Sequence, residues 1–149
     1  MLISNVSSFN AVAEYPSIIA GLADTPIEDI KISDVYLHQL GGQNQELASR
    51  VPPEGEKAYP EASMFGPLPA RGFFLRHARN LEFSNVEIAT SSADARSAIW
   101  AEDIDGLDVF RLRSATGPAY QLRNVRQFRN FGSIHVPDRV MGTVTAESF

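Results

Sequence analysis

The residues of greatest chemical interest form three pairs, in each of which an aromatic or amide residue precedes a charged residue by two positions: Phe74 and Arg76, Trp100 and Glu102, and Gln121 and Arg123. Successive side chains of a β-strand point to opposite faces, so the two members of a pair would lie on one face of a strand. If the three strands are neighbours, the pairs form two columns. Aromatic rings stack on the faces of sugar rings, and guanidinium groups bind carboxylates bidentately. The columns are therefore typical of a surface that binds an acidic sugar polymer.

The segment 38–71 offers further contacts and also an alternative. Lys57 and Glu61 within it would reach the same columns and are further candidates for sugar binding. The segment also contains the apolar residues and prolines of a loop that packs onto a surface: Met64, Phe65 and Leu68, with Pro60, Pro67 and Pro69. In this alternative the loop covers the two aromatic residues, and Lys57 and Glu61 join Arg76 in salt bridges that hold it in place. The sequence leaves both possibilities open.

Other catalytic or metal-binding groups give only weak signals. His38, His77 and His135 are far apart in sequence and match no metal-ligand spacing, and His77 is expected to be a hydrogen-bonding turn residue. The chain has no cysteine and no Gly-x-Ser-x-Gly nucleophile motif. Gly41-Gly42 indicates a turn, without the rest of a phosphate-binding loop. We therefore expect no metal site and no cofactor.

Length and charge limit the classes of protein that remain. The chain has 149 residues, which fits one domain over 1–149 with a single core. Its formal net charge is −5 and its basic residues form no run, which argues against nucleic-acid binding. No apolar stretch is long enough to span a membrane, so we expect no membrane partner. The N-terminus lacks the basic start and apolar block of a signal peptide, and the sequence leaves the compartment open.

Short internal repeats organise the chain. Ile3-Ser4-Asn5-Val6 recurs as Ile32-Ser33-Asp34-Val35 and as Phe83-Ser84-Asn85-Val86, with looser copies near residues 107–110 and 128–131. A second short apolar segment precedes most copies, and turn-forming residues join the two. The repeats return after 21 to 29 residues, except for a step of 51 residues from Ile32 to Phe83 that contains the segment 38–71 as an inserted loop. Short strands with no helical pattern between them exclude βαβ units.

Regularly repeated strand–turn–strand units predict an all-β fold, a parallel β-helix of about five coils that forms a solenoid. Stacked coils align like residues in ladders inside the stack. The expected ladders are Ile30, Leu81, Leu107 and Phe128; Ile32, Phe83 and Val109; Ile18, Phe73, Ile99 and Tyr120; and Ala20, Leu75, Ala101 and Leu122. Asn5, Asp34 and Asn85 would form a column at a bend, because Asn and Asp tolerate left-handed backbone. The alternative is an antiparallel sandwich, but two-residue hairpin signals are nearly absent.

A long run of residues resembles glycoside hydrolase family 28, in particular the C-terminal part of bacterial polygalacturonase-like enzymes. The run includes Pro26-Ile27-Glu28-Asp29-Ile30, Glu56-Lys57-Ala58-Tyr59-Pro60-Glu61, Met64-Phe65-Gly66-Pro67-Leu68-Pro69-Ala70 and Arg76-His77. The resemblance covers nearly the whole chain. It implies a right-handed parallel β-helix of the pectin-lyase-like kind, and a parent enzyme, often secreted or periplasmic, that hydrolyses pectic α-galacturonosyl links with inversion. A pectic oligosaccharide is the partner that it implies.

The chain departs from that family in its catalytic residues. The resemblance implies an Asn-Thr-Asp motif, an Asp-Asp pair, a Gly-His-Gly and an Arg-x-Lys, and this chain has none of them. Two acidic pairs are present, Glu28-Asp29 and Glu102-Asp103, but adjacent residues on a strand point to opposite faces. Inverting hydrolysis needs two carboxyl groups roughly 6.5–9.5 Å apart, which only Glu102 with a carboxylate of the loop could supply. We expect no catalytic residue and no activity from this chain alone, which leaves an oligogalacturonide-binding module or a purely structural β-helix as alternatives.

The first repeat carries an expectation about association. It starts at Leu2-Ile3-Ser4-Asn5-Val6, with no polar coil before it in this chain. An open strand edge is a template for another chain, and solenoid ends without a polar cap tend to associate. We expect self-association, most simply a dimer formed around Ile3 and Val6 with Ile18 behind them. The alternative is a monomer in which residues 1–16 fold over this end as a cap.

Overall fold

A computed structural model describes residues 1–114 and 117–149 of the chain. Seven strands dominate it: β1 (Leu2–Ala11), β2 (Ser17–Ala20), β3 (Ile27–Gly41), β4 (Ala70–Ser92), β5 (Ser97–Ser114), β6 (Tyr120–Phe131) and β7 (Arg139–Ser148). The helical elements are one turn of α-helix, α1 (Gln45–Ala48), and one 3-10 turn (Ala62–Phe65). The prediction of an all-β protein is confirmed. Within the part of the chain that is described, no helix has the length and apolar character needed to cross a bilayer.

All seven strands belong to one sheet. Its order is β1-β3-β4-β5-β6-β7, and β2 pairs with β4 beside β3. Every pair is parallel except β6 with β7, which is antiparallel. The predominance of parallel pairs contradicts the antiparallel sandwich that the sequence left as the alternative. The antiparallel last strand was not predicted.

Two of the expected ladders are present along their whole length. Ile30 lies beside Leu81, Leu81 beside Leu107 and Leu107 beside Phe128. Ile32 lies beside Phe83 in the same way, and Phe83 beside Val109. These side chains belong to one buried apolar cluster. Like residues stacked between neighbouring strands are therefore what buries this core, as the repeats predicted.

The two remaining ladders are correct for β4, β5 and β6 but wrong for β2. Phe73, Ile99 and Tyr120 align, as do Leu75, Ala101 and Leu122. Ile18, however, pairs with Phe74 rather than Phe73, and Ala20 pairs with Arg76 rather than Leu75. A shift of one residue sends a side chain to the opposite face of a sheet. Ile18 and Ala20 therefore pack against a second apolar cluster on the outer face, and Ile19 packs against the core instead.

Residues with a left-handed backbone conformation bend the long strands at equivalent positions in neighbouring strands. Asn5, Asp34 and Asn85 have φ values of 57°, 55° and 56°, and the Asn85 amide donates to Asp34 Oδ1 at 2.6 Å. The predicted column at a bend is thus confirmed. His77, Asp103 and Asn124 form another such column, with φ values of 49°, 54° and 48°. Asn and Asp visit this backbone region more readily than other non-glycine residues because their short polar side chains bond locally.

The inserted segment runs from residue 42 to residue 69, between the end of β3 and the start of β4, and is called the flap below. It is shorter than the predicted 38–71, because residues 38–41 continue β3 and residues 70–71 begin β4. Asn44 caps α1, and its side-chain oxygen accepts a hydrogen bond from the Leu47 amide at 3.0 Å. The flap crosses the outer face of β4 and β5, where the predicted sugar-binding columns lie.

Candidate functional site

The flap buries the aromatic column. Phe74 and Trp100 stack with their ring centroids 4.9 Å apart and their planes 16° apart, and Phe65 of the flap lies 5.5 Å from Phe74. Leu68 of the flap and Ala70 complete this outer cluster. Phe74 and Trp100 are 0% and 1% exposed, so neither ring is available to a sugar while the flap is in place. Their predicted role in direct stacking is therefore corrected, because the loop covers them as the alternative proposed.

Arg76 anchors the flap to the sheet. Its guanidinium is 1% exposed and binds Glu102 of β5, with Nε 2.9 Å and Nη2 2.7 Å from Glu102 Oε2. The remaining N–H groups donate to two flap carbonyls, those of Pro53 at 2.8 Å and Pro52 at 3.0 Å. The guanidinium carbon also lies 5.2 Å from the centre of the Phe74 ring and 5.8 Å from that of Trp100. A buried cation is tolerated here because a carboxylate, two carbonyls and the aromatic faces replace its water.

The column Arg76, Glu102, Arg123 exists as predicted. The three residues are paired in register across β4, β5 and β6. Glu102 stands between two guanidinium groups, since its Oε1 lies 3.4 Å from Arg123 Nε. The side chains of Arg123 and Glu102 are 40% and 19% exposed, in contrast to Arg76. Of the three, Arg123 is thus the cation that an acidic ligand can reach with the flap in place.

His77 forms a second link between the flap and the sheet. Its Nε2 lies 2.8 Å from Glu54 of the flap and its Nδ1 lies 2.8 Å from Asp103 of β5. The other oxygen of Asp103 accepts a hydrogen bond from the Asn124 amide at 2.8 Å. A neutral imidazole has only one N–H, so a carboxylate at each nitrogen favours the doubly protonated, charged ring.

The surroundings of His77 change its pKa in opposite directions. Burial of the ring lowers the pKa, but the hydrogen bonds and negative charges of Glu54 and Asp103 raise it by more. The result is a pKa above the ordinary value of a histidine. His77 therefore bridges two carboxylates, one from the flap and one from the sheet, and this geometry stabilises the protonated ring.

The bridging carboxylates were missed by the sequence analysis. Glu54 was not singled out, and Asp103 was considered only as part of an acidic pair. One signal was present, because His77 follows Arg76, Asp103 follows Glu102 and Asn124 follows Arg123. Residues next to one aligned column must form another. The prediction that His77 is a hydrogen-bonding residue at a turn is consistent with its left-handed backbone and its two partners.

Lys57 and Glu61 do not join the site. Both are exposed, and Glu61 accepts a hydrogen bond from its neighbour Ser63 at 2.5 Å. Among residues 1–114 and 117–149, neither forms an ion pair with Arg76. The expected salt bridges are therefore wrong for both, and the flap uses Glu54 and two proline carbonyls instead. The reason is geometric: these carbonyls and Glu54 lie over Arg76, whereas Lys57 and Glu61 remain at the solvent side of the flap.

A fully buried ion pair holds the far end of the flap. Arg96 Nη2 lies 2.8 Å from Asp94 Oδ2, and Arg96 Nε donates to Asp94 Oδ1 at 3.0 Å. Arg96 also donates to the carbonyls of Leu68 in the flap and Ala13 before β2. Burial raises the pKa of Asp94, but its bonds to Arg96 outweigh that effect and hold the pKa below the usual range. Arg96 thus ties the flap, the N-terminal region and β5 together.

The charged side chains of this site fix the flap to the sheet and are not arranged for proton transfer. Glu54 and Asp103 each lie within hydrogen-bond distance of His77, and Glu102 stands between Arg76 and Arg123. General acid catalysis in glycoside hydrolysis needs a carboxyl group that is free to donate a proton to the leaving group, whereas all three of these acids are engaged by basic side chains. In the portion of the chain covered by the structure, no group of three or more His, Asp or Glu side chains is placed to hold a metal ion.

Comparison with known proteins identifies no homologue of this chain. No protein-family model matches the chain, and no curated protein or solved structure does so either.

Proposed function

We propose that the sheet is the wall of a right-handed parallel β-helix of about five coils. The register supports this proposal, because a ladder such as Ile30, Leu81, Leu107, Phe128 advances by whole repeats of the chain. The left-handed residues support it too. They stand at equivalent places in successive strands, where a coil has to change direction. A flat sheet has no reason to bend at aligned positions.

We infer that the chain is a C-terminal β-helix region of a polygalacturonase-like glycoside hydrolase that acts on pectic polysaccharide. The observation that carries this inference is the flap, which contains many of the residues that resemble the family and is fixed to the sheet by the buried Arg76. Simple stacking of strands requires no such loop, and a guanidinium withdrawn from water requires many partners. A flap held in this manner suits a protein that shapes a ligand groove.

Hydrolysis itself is not part of the proposed role of this chain. The four motifs that the resemblance implies are absent from the sequence. Glu102, the one acid that could have substituted, is engaged by both Arg76 and Arg123 instead. We propose that the region contributes cationic contacts to a pectic chain beside the flap, with Arg123 as the accessible cation.

A structural role without sugar binding is the second candidate. The observation in its favour is the burial of Phe74 and Trp100, which removes both rings from solvent. In this case the flap stabilises the β-helix and nothing binds to it. The two candidates differ in whether Arg123 contacts an acidic sugar.

Titration of the chain with oligogalacturonides of three to six units, followed by calorimetry, distinguishes the candidates. The proposed function predicts weak saturable binding, with a Kd on the order of 1 mM. Arg123→Gln should abolish it. Arg126→Gln is the matched control, because Arg126 is an exposed arginine of the same strand whose partner is Asp105. Maltohexaose, which carries no carboxylate, should give no heat. Absence of binding to the wild-type chain would favour the structural candidate and overturn the proposed contact.

A further inference from the structure

The flap covers only two of the three residues in the predicted column Phe74, Trp100, Gln121. Gln121 of β6 lies in register beside Trp100 of β5. Phe74 and Trp100 are buried beneath the flap, whereas Gln121 is half-buried. Among residues 1–114 and 117–149, the Gln121 carboxamide has no hydrogen-bond partner. An amide group that is partly withdrawn from water and has no partner in the protein is available to a ligand.

Gln121 lines a small polar pocket between the flap and the sheet. The pocket has a volume of about 260 Å³. Its polar lining consists of two carboxamide and three hydroxyl side chains, those of Gln45, Gln121, Ser49, Ser97 and Ser148. Gln45 and Ser49 lie in and just after α1 of the flap, Ser97 begins β5 and Ser148 ends β7. No charged side chain is found among the described residues that line this pocket.

Ser97 is independent evidence that the pocket needs an occupant. It is 3% exposed and lines the pocket, and its hydroxyl has no hydrogen-bond partner in the described part of the chain. Native proteins leave few buried polar groups without a partner, because such a group has lost water and gained nothing in return. A ligand or a water molecule that enters the pocket can supply the missing partner.

The pocket lies next to Arg123, the accessible cation of the outer face. Gln121 and Arg123 are two residues apart on β6, which corresponds to roughly 6.6 Å along a strand and places both side chains on one face. One sugar chain can therefore contact Arg123 through an acidic unit and enter the pocket with a neighbouring unit. The pocket is slightly smaller than the roughly 300–1,000 Å³ typical of sites for drug-sized molecules, which suits a single sugar ring.

We propose that this pocket binds an uncharged sugar unit, which makes the chain selective for pectic polysaccharide in which acidic and uncharged units are neighbours. The inference rests on the proposed contact of Arg123 with an acidic unit. Hydroxyl and carboxamide groups can both donate to and accept from the hydroxyl or ester oxygens of an uncharged sugar. A carboxylate in the same pocket would lose water and find no cation in the lining, which is unfavourable.

Two kinds of sugar unit share this chemistry, a methyl ester of galacturonic acid and a neutral hexose such as galactose. Amide NMR titration of the intact chain with three oligomers of equal length tests the proposal. The first oligomer is fully acidic, the second has about half of its units methyl-esterified, and in the third these units are reduced to galactose. At least one of the two partly uncharged oligomers should bind at least threefold more tightly than the acidic one, and the amides of Ser97 and Gln121 should shift. Preference for the second or the third oligomer identifies which uncharged unit the pocket takes.

Variants separate the pocket from the general charge of the protein. The net charge of −5 by itself disfavours the most acidic oligomer, so the preference is compared between variants. Ser97→Ala should reduce the preference without lowering stability, because the hydroxyl has no partner in the described part of the protein. Gln121→Lys should reverse the preference, since a cation in the pocket can pair with a carboxylate. Thr143→Lys is the matched control, because it adds the same charge at an exposed position of β7 beside Arg126, outside the pocket, and should keep the wild-type order of affinities.

The possible failures of the two proposals can be told apart. Equal affinity of the wild-type chain for all three oligomers would overturn this inference, leave the Arg123 contact standing and mean that the pocket holds water only. The same preference in Ser97→Ala and Gln121→Lys as in Thr143→Lys would overturn it as well. Failure of all three oligomers to bind would overturn the Arg123 contact and this inference together.

Discussion

β4 and β5 have fully buried side chains on both faces, but these are covered by different means on each face. On the inner face, Leu81 and Leu107 are 1% and 0% exposed because like residues of neighbouring strands stack on them. On the outer face, Phe74 and Trp100 are 0% and 1% exposed because the flap lies over them. The inner cover is a repeated apolar ladder. The outer cover is a single irregular segment held by Arg76, His77 and Arg96.

This difference indicates how the burial of each face can be lost. A ladder residue contacts its equivalents in the strands on both sides, so damage at one position spreads through the stack. The flap depends on a few polar contacts with high individual energies, and these can break while the sheet stays intact. Equal burial therefore does not mean equal importance for the fold. The predictions below separate the two faces, beginning with the largest expected effect.

Leu81→Asp should unfold the whole protein. The substitution places a charge with no partner inside a ladder where the side chain is 1% exposed, which costs several kcal/mol and so removes most of the free energy of unfolding of a typical domain. Far-UV circular dichroism and one-dimensional NMR would report the loss of strand structure. Glu82→Asp, at the partly exposed neighbouring position, is the control. A folded Leu81→Asp variant would mean that the inner face is not a continuous core.

Arg76→Met should release the flap and leave the sheet folded. Loss of the guanidinium removes the contacts to Glu102 and to the Pro52 and Pro53 carbonyls, at a cost of about 3 kcal/mol. Trp100, the single tryptophan of the chain, lies under the flap and reports its release by a red-shifted fluorescence. During urea titration the fluorescence change should precede the loss of circular dichroism. Arg79→Met, which breaks only an exposed pair with Glu28, should cost less than 1 kcal/mol.

His77→Gln should destabilise the closed flap by about 1–2 kcal/mol, which is less than the effect of Arg76→Met. It should also remove the pH dependence of flap opening. The folded-state pKa of His77 is raised, so its stabilising effect is complete below the unfolded-state pKa of about 6.5 and is lost as the pH rises through the folded-state pKa. The flap of the wild-type chain should therefore become easier to open as the pH rises above about 6.5. Trp100 fluorescence in urea at a series of pH values measures this. An identical pH profile in His77→Gln would show that another group is responsible.

The smallest expected effect is on hydrolysis, where we predict none. Incubation of the chain with polygalacturonate should release no reducing ends above the buffer background, because the acids beneath and beside the flap are paired with cations. Release that disappears in Glu102→Gln but persists in Glu87→Gln, a partly exposed acid elsewhere on β4, would show that the outer face is catalytic after all.

The same contrast between the faces explains how much the sequence could predict. The ladders through Leu81 and Phe83 were predicted because repetition of apolar residues at fixed offsets determines strand pairing. The positions of Ile18 and Ala20 were wrong by one residue, since β2 has only four residues and its alternation fits either register. Nothing repeats in the flap.

The contacts of the flap depend on how one irregular segment folds back over the sheet. Glu54 lies 23 residues before its partner His77, and the flap groups that accept hydrogen bonds from Arg76 are the backbone carbonyls of Pro52 and Pro53. A carbonyl is present at every residue, so the sequence does not indicate which carbonyls will accept hydrogen bonds from Arg76. The sequence therefore predicted that a loop could cover Phe74 and Trp100, but assigned the wrong residues, Lys57 and Glu61, to hold it.

Hydrogen exchange of the wild-type chain and Arg76→Met, measured by NMR, tests most directly the claim that the flap and the ladder core are held separately. The relevant protons are the amides of Gly66 and Leu68 and the indole N–H of Trp100 on the flap side, and the amides of Leu81 and Leu107 in the core. We predict that the flap-side protons exchange about 100-fold faster in Arg76→Met, while the core amides keep their wild-type rates. Acceleration of both sets by the same factor would contradict the claim, because it would mean that flap and core open as one unit.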